Sequence, residues 1–413
     1  MVSVPSPAMS APSRITRLAV RNYRSIVACD VALGALSILV GRNGAGKSNV
    51  LDALRFIGDS VRASLEYALR VRGGLHHVKR RPGPPDASVG IRIEVALGHG
   101  CHAVFAVEFS RAIHGGIVVQ REACRIIRDA DGSSVAHYHV AAGSVITASV
   151  DPAPAASADR LYVVNASGHP AFRPLYDALA GMAFYNTVPG AMRVPSPPDD
   201  GELLDADGHN VASVLRRLLH EDESSLVRIE EYLTQVVPGL AGVHGWLQHG
   251  RDSLVFRQRI VAEAHPWGFD ALDMSDGTLR ALGVLAALFQ DPSGRSVRLV
   301  GIEEPDAALH PGAMAVLADA LLEASERRQV LVTTHSAALL DHAEIAPSFL
   351  LAVVDDGAST RVGPVDDVTR QVLRDGLFSA GELLRMGQLE LDGAHGDATT
   401  TTVADLFQSL VPA

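Results

Sequence analysis

Gly41-Arg-Asn-Gly-Ala-Gly-Lys-Ser48 follows the apolar run Leu36–Val40 and precedes a helix-like stretch, Asn49–Ile57. All the fixed positions of G-x-x-x-x-G-K-S are filled, in the strand–loop–helix setting that the motif needs. Its glycines, Gly41, Gly44 and Gly46, let the backbone of Arg42, Asn43, Ala45 and Asn49 wrap with N–H groups pointing inward. The following helix N-terminus adds positive potential, so the loop suits phosphate. Lys47 is spaced to reach β- and γ-phosphates, and the Ser48 hydroxyl to ligate Mg²⁺. A Gly-rich turn before an ordinary helix is the plain alternative; the full motif in context favours a nucleoside triphosphate site.

Working outward, 413 residues exceed one ordinary domain, and 47% apolar content is ample for a packed core. A formal charge of −11 argues against coating nucleic acid by bulk electrostatics. Lys79-Arg-Arg81, with Arg62, Arg70 and Arg72 upstream, is the one notable basic cluster. Its default is a solvated helix face and loop, with DNA kept as a partner that such a face could contact. Three widely spaced cysteines, Cys29, Cys101 and Cys124, offer neither a disulfide framework nor zinc spacing. No apolar run approaches the ~20 residues needed to cross a bilayer. Residues 1–13 are expected to form a loose, disordered tail, and the chain to be cytoplasmic without a membrane partner.

Two short strands are expected at Ile15–Arg21 and Ile26–Leu33, the second turning through Gly34-Ala35 to pair with Leu36–Val40. Val89–Leu97, Ala103–Phe109, Ile117–Ile127 and Val135–Val140 predict an antiparallel sheet beside the nucleotide core. Val211, Val214, Leu215, Leu218 and Leu219 fall on one helical face, and a further helix ends near Pro238-Gly239. Two strands are expected around Gly242–Ile260.

The chemistry concentrates after that. Arg298-Leu-Val-Gly-Ile302 is an apolar strand ending in Glu303-Glu304-Pro305. Two carboxylates at the end of a buried strand are expensive unless a metal or a reacting water uses them. The reading assigns Glu303 to the metal, through water, and Glu304 to the nucleophilic water. Leu331-Val-Thr-Thr-His335-Ser336 is a second strand with a polar end, where His335 can hydrogen-bond a γ-phosphate. Met274-Ser275-Asp276-Gly277-Thr278 opens a helix-like stretch and offers another anion site through backbone N–H groups and helix dipole.

In this order, the phosphate loop, Ser-Asp-Gly helix, Ile-Glu-Glu-Pro, Ala-Ala-Leu-His and Thr-Thr-His-Ser resemble the ABC-type ATPases of the SMC/RecF/overcoming-lysogenization-defect (OLD) group. The detail is closer still to stand-alone bacterial ATPases of the AAA, ABC-like kind. Arg21-Asn-Tyr-Arg-Ser25, Asp276-Gly-Thr-Leu-Arg280 and Gly381-Glu-Leu-Leu384 also look like family segments; residues 98–250 match loosely. The resemblance implies an α/β fold: an ABC-type P-loop ATPase head with a central mixed sheet, an antiparallel β-subdomain and a helical insertion. It implies lobe I at 14–97, an inserted β/helical region at 98–250, lobe II at 251–365 and a C-terminal helical segment at 366–413.

The resemblance further implies ATP and Mg²⁺ in a head-to-tail homodimer formed on ATP binding. Each nucleotide would lie between one phosphate loop and the Ser275–Gly277 signature of the twin. Asp306–His310 would form the D-loop, His335 the H-loop, and Arg24 and Ser25 would approach the nucleotide. The expected activity is ATP hydrolysis by Lys47, Glu304 and His335 that regulates or loads a partner, an effector or nuclease, in DNA repair or recombination or anti-phage defence. An ATP-held switch with little turnover, and a transporter ATPase subunit, are the alternatives.

Some features depart from the pattern. Glu303 replaces the usual Asp of the B motif, His310 stands where Asp is common, and no Q-loop glutamine can be placed, Gln120 being one candidate. OLD nucleases continue into a metal-dependent TOPRIM domain, for which the residues after His335 leave little room. Asp355, Asp356, Asp366 and Asp367 could be imagined as a nuclease metal site, but Asp355-Asp356-Gly357 between two strand-like runs is better explained as a charged hairpin turn. His76-His77, His99/His102 and His137/His139 lack carboxylate or cysteine partners at ligand spacing.

Overall fold

The computed structural model describes residues 13–84, 87–112, 115–260, 263, 265–291, 297–392 and 405–410. The expected N-terminal tail therefore lies, Ser13 apart, outside the described residues, as does much of the segment after residue 392. The chain forms two compact units, one of residues 1–33, 56–180 and 399–413, the other of 34–55 and 181–398.

The first unit is built on antiparallel strands. In sheet order these are Ser144–Ala148, Ser134–Ala141, Ile117–Arg128, Cys101–Arg111, Val89–Gly98, Arg14–Tyr23 and Ile26–Ala32. Local chemistry sets the register. His99 and Gly100 (φ +52° and +67°) close one hairpin, and Ala142 and Gly143 (φ +46° and +81°) another. Two successive left-handed residues match the twist of the strands they join. One side of this unit stacks Phe56 on Phe109 at 5.2 Å, with Tyr23 edge-on to Phe56 at 5.9 Å. Leu406, Phe407 and Leu410, from residues 405–410, cover Ala19, Val104, Ala106 and Ala123.

The second unit has a mostly parallel sheet, in the order Thr360–Pro364, Leu350–Asp355, Leu36–Val40, Gln329–Thr334, Leu299–Glu303 and Met182–Tyr185. Leu36–Val40 does not form the expected hairpin partner of Ile26–Leu33; parallel strands flank it on both sides. All five of its residues are buried, and a continuous apolar run suits a central parallel strand covered on both faces. The helix Asp276–Phe289 is buried at every position from Thr278 on, as expected of a helix apolar all round. Val211–Glu221 buries Val211, Val214, Leu215 and Leu218 as its spacing predicts, whereas Leu219 turns outward at 44% exposure. The strands expected around 242–260 are Leu240–Gln248 and Arg251–Gln258, joined in a separate sheet by Trp267–Asp270. Among the described residues no helix is long and apolar enough to cross a membrane.

Candidate functional site

Strand register brings the motifs of the second unit to one edge. Val40 lies beside Thr334, and Thr333 beside Glu303, so the phosphate-loop sequence, His335 and Glu304 all leave the C-terminal ends of three neighbouring parallel strands. Open α/β sheets place their ligands at such an edge.

The loop from Gly41 to Gly46 leads into the helix Lys47–Arg62. Gly44 and Gly46 take φ of +80° and +99°, conformations that a side chain resists. At Gly41 a Cβ would sit 2.1 Å from the Val353 carbonyl oxygen, so the close passage of the two strands demands glycine. Thr360 Oγ1 donates to the Ala45 carbonyl at 2.9 Å and ties the loop to the neighbouring hairpin. Lys47 is buried, its Nζ donating to the Gly41 and Arg42 carbonyls at 2.9 and 3.1 Å. Burial lowers its pKa, and the charges of Glu304 and Asp306 work against that shift. Arg42, Asn43, Gly44 and Ser48 are exposed. A cavity of about 470 Å³ opens between residues 41–45 and Val353, Val354, Leu384 and Leu389.

Across the edge, Glu303 ends its strand half-buried and Glu304 follows in a left-handed conformation, φ +45°. The Glu304 amide donates to the Thr333 carbonyl at 3.0 Å and to Thr333 Oγ1 at 3.1 Å. His335 Nδ1 stands 3.4 Å from Glu304 Oε1, both side chains partly exposed. Asp306 is turned inward, 7% exposed, and its Oδ1 has no hydrogen-bond partner among the described residues. Burial raises its pKa, against a hydrogen bond from Thr334 and the charge of His335. Sequence reasoning placed Asp306 only in a crossing loop and missed this inward carboxyl.

Ser275 caps the helix Asp276–Phe289, its Oγ accepting from the Thr278 amide at 3.1 Å. That hydroxyl also shares a hydrogen bond with Thr278 Oγ1 at 2.9 Å. A Cβ at Gly277 would lie 2.7 Å from the Ala308 carbonyl oxygen, so the helix start packs directly on the 306–310 loop. Arg193 braces the same segment, donating to the Met274 carbonyl at 2.7 Å and pairing with Asp276 at 2.6 Å. Nothing in the sequence around Arg193 announces this, because the contact joins segments far apart in the chain.

The remaining candidates are placed elsewhere. Arg24 and Ser25 belong to the first unit, at the turn between Arg14–Tyr23 and Ile26–Ala32, where the Arg24 amide donates to Val78 O at 2.7 Å. Gln120 is also in the first unit, donating to Ser110 Oγ at 2.8 Å. Much of the basic cluster is spent on its own chain. Arg72 pairs with Asp59 at 3.0 Å, Lys79 Nζ donates to Pro84 O at 2.6 Å, and Arg81 to His76 O at 2.5 Å. Asp355 and Asp356 accept turn amides within the hairpin, and Asp366 caps the helix Asp367–Arg374. Among the described residues no group of three or more His, Cys, Asp or Glu is arranged to hold a metal ion.

Residues 36–98 and 252–341 match the family described as AAA domain, putative AbiEii toxin, Type IV TA system. These stretches contain the phosphate loop, Ser275–Gly277, Glu303-Glu304 and His335. None of the curated proteins compared with the chain matches it. Among solved structures, the Smc head domain with an extended coiled coil from Pyrococcus furiosus, bound to the C-terminal domain of ScpA, is similar. It is 12% identical with a TM-score of 0.52, over 88% of this chain and 99% of that one. The SMC head domain from Thermotoga maritima is 16% identical, over 86% of this chain and 99% of that one, with a TM-score of 0.45. At 12% identity the likeness to the Pyrococcus furiosus head is one of fold.

Proposed function

We propose that this ABC-type P-loop ATPase of the SMC/RecF-like kind hydrolyses ATP between two copies of itself and that the cycle of pairing and release switches a partner protein. The observation that carries the reading is the shared strand edge, from which the phosphate loop with buried Lys47, Glu304 and His335 all depart. The residues present fit a nucleotide and its metal. Glycines with no room or no tolerance for a Cβ form the loop, and a buried acceptor, Asp306 Oδ1, stands without a donor.

In this reading residues 41–49 cradle the phosphates and Lys47 neutralises them. Ser48 and Glu303 would hold Mg²⁺, which when bound offsets charge between the β- and γ-phosphates. Glu304 polarises the attacking water, and His335, beside it, reports the γ-phosphate. Ser275–Gly277 offers amide N–H groups and a helix dipole to the nucleotide of the twin, so ATP becomes an interface component. Arg24 and Ser25 would approach the nucleotide as in relatives. The Smc head that is bound to ScpA supports a protein as the receiver of the switch. DNA repair or recombination, or defence against phage, is the setting we favour from the family resemblance.

Lys47→Ala abolishes binding of a fluorescent ATP analogue. Glu304→Gln keeps that binding, loses on the order of 10²-fold or more in kcat, and accumulates dimer with ATP in analytical ultracentrifugation. Equal turnover in wild type and Glu304→Gln defeats the assignment of the base. A wild type that dimerises with ATP but does not turn it over establishes the alternative, an ATP-held switch controlling an effector nuclease.

A further inference from the structure

Arg280 lies in the second turn of the helix that Ser275 caps, and is only 9% exposed. Its Nη2 donates to the carbonyls of Glu303 and Glu304, both at 3.0 Å, and its Nη1 donates to the carbonyl of Thr187. Burial lowers its pKa, and Glu304, Asp306 and Glu303 attract its charge. Its two terminal nitrogens are spent on three main-chain oxygens, and its Nε has no hydrogen-bond partner among the described residues.

What those oxygens belong to gives the contact its meaning. Glu304 is held at φ +45°, which costs a non-glycine residue roughly 1–2 kcal/mol. Such a conformation persists when its surroundings over-determine it. Here the amide of Glu304 is gripped by Thr333 through two acceptors, and its carbonyl by Arg280 and by the Ala307 amide at 3.0 Å. The direction in which the Glu304 side chain leaves the strand edge follows from that clamped peptide.

We propose that Arg280 is a positioning residue for the Glu304 carboxylate, acting from the helix whose N-terminus carries Ser275–Gly277. The inference rests on the ATPase reading and adds to it a physical link between the signature helix and the water-activating acid. It gives Arg280 no contact with nucleotide or water, only with the backbone that aims Glu304.

The test uses the full chain with Arg280→Lys and Arg280→Gln, each alone and combined with Glu304→Gln. Lysine keeps the buried positive charge beside the three carboxylates, so it preserves the fold even if glutamine does not, but a single ammonium cannot span the carbonyls that the planar fork reaches. Arg280→Lys is expected to lower kcat on the order of 10- to 100-fold, with KM and the Kd for a fluorescent ATP analogue within about threefold. In the Glu304→Gln background the same change leaves the residual rate within about twofold, because a residue acting through Glu304 has nothing left to aim. An equal proportional loss in both backgrounds overturns the inference, as does an Arg280→Lys chain as active as an active wild type. A wild type that binds ATP without turning it over defeats the hydrolytic reading instead, and the inference with it.

Discussion

Glu122 and Asp306 are acids carried into the interior, one in each unit, and their surroundings differ atom by atom. Glu122 is 0% exposed on the strand Ile117–Arg128. Its Oε1 accepts from Tyr138 Oη and the Val163 amide, both at 2.7 Å, and its Oε2 from the Tyr162 amide at 2.6 Å. It thereby satisfies the first amides of the short helix Tyr162–Ala166, whose N-cap, Leu161, has no side chain to do so. Asp306, nearly as deep, leaves Oδ1 without a partner. Burial alone therefore does not mark a site. What distinguishes Asp306 is a buried carboxylate oxygen left without a donor at the strand edge that also carries Glu304 and the phosphate loop, where a ligand could use it.

The largest expected effect falls on the satisfied acid. Glu122→Ala strands a tyrosine hydroxyl and two amides, and should lower stability by about 3–5 kcal/mol in urea melts. A loss below about 1 kcal/mol would remove the structural half of the contrast. Its pH dependence has a definite sign. Burial pushes the Glu122 carboxyl up to about 7, against the three hydrogen bonds that hold it down. With the folded value above the unfolded one, the folded chain binds the extra proton between about 4.5 and 7. Stability from this group is full below that window and is lost as pH rises through 7, by on the order of 3 kcal/mol. The Glu122→Ala protein should lack that slope.

The orphaned acid should respond the other way round. Asp306→Asn removes a charge that burial disfavours, so stability changes by no more than about 1 kcal/mol. Turnover per folded molecule should fall on the order of 10- to 100-fold, because a buried charge that acts on Lys47 is gone. Should Asp306→Asn unfold as readily as Glu122→Ala while its folded fraction keeps full kcat, the distinction between the two acids is void.

The same contrast explains what the sequence made legible. Gly41–Ser48 and Glu303-Glu304 are contiguous, and each residue type has a local reason to be there: glycines for φ and close passage, lysine for charge, paired acids ending an apolar run. The edge they share followed from the motifs and the strand runs. The position of Leu36–Val40 did not, because a buried five-residue run fits a hairpin or a parallel ladder equally until its neighbours are known. Arg193, Arg280 and the inward turn of Asp306 were out of reach for a related reason. Arg193 and Arg280 donate to main-chain carbonyls, and Asp306 is marked by an oxygen without a partner; carbonyls are present at every position, so the sequence carries no mark of which ones an arginine will find.

A third acid sets the lower end of the scale. Asp356 sits on the exposed turn between Leu350–Asp355 and Thr360–Pro364, and its Oδ1 accepts from the amides of Ala358 at 2.9 Å and Ser359 at 2.8 Å. That oxygen is satisfied as those of Glu122 are, but the residue faces water. Those two amides, foremost that of Ala358, lower its pKa, so its contribution runs opposite in pH: present above the unfolded value and lost as pH falls through the folded one. Asp356→Ala should cost only about 0.5–1 kcal/mol, since water replaces what is removed. It should leave kcat and ATP affinity unchanged, and the purified chain should show no cleavage of DNA with Mg²⁺ or Mn²⁺ that depends on this residue. Cleavage abolished by Asp356→Ala would mean that a turn carboxylate binds metal despite two amide donors on one oxygen. Partner satisfaction would then fail as the criterion that separates Glu122 from Asp306.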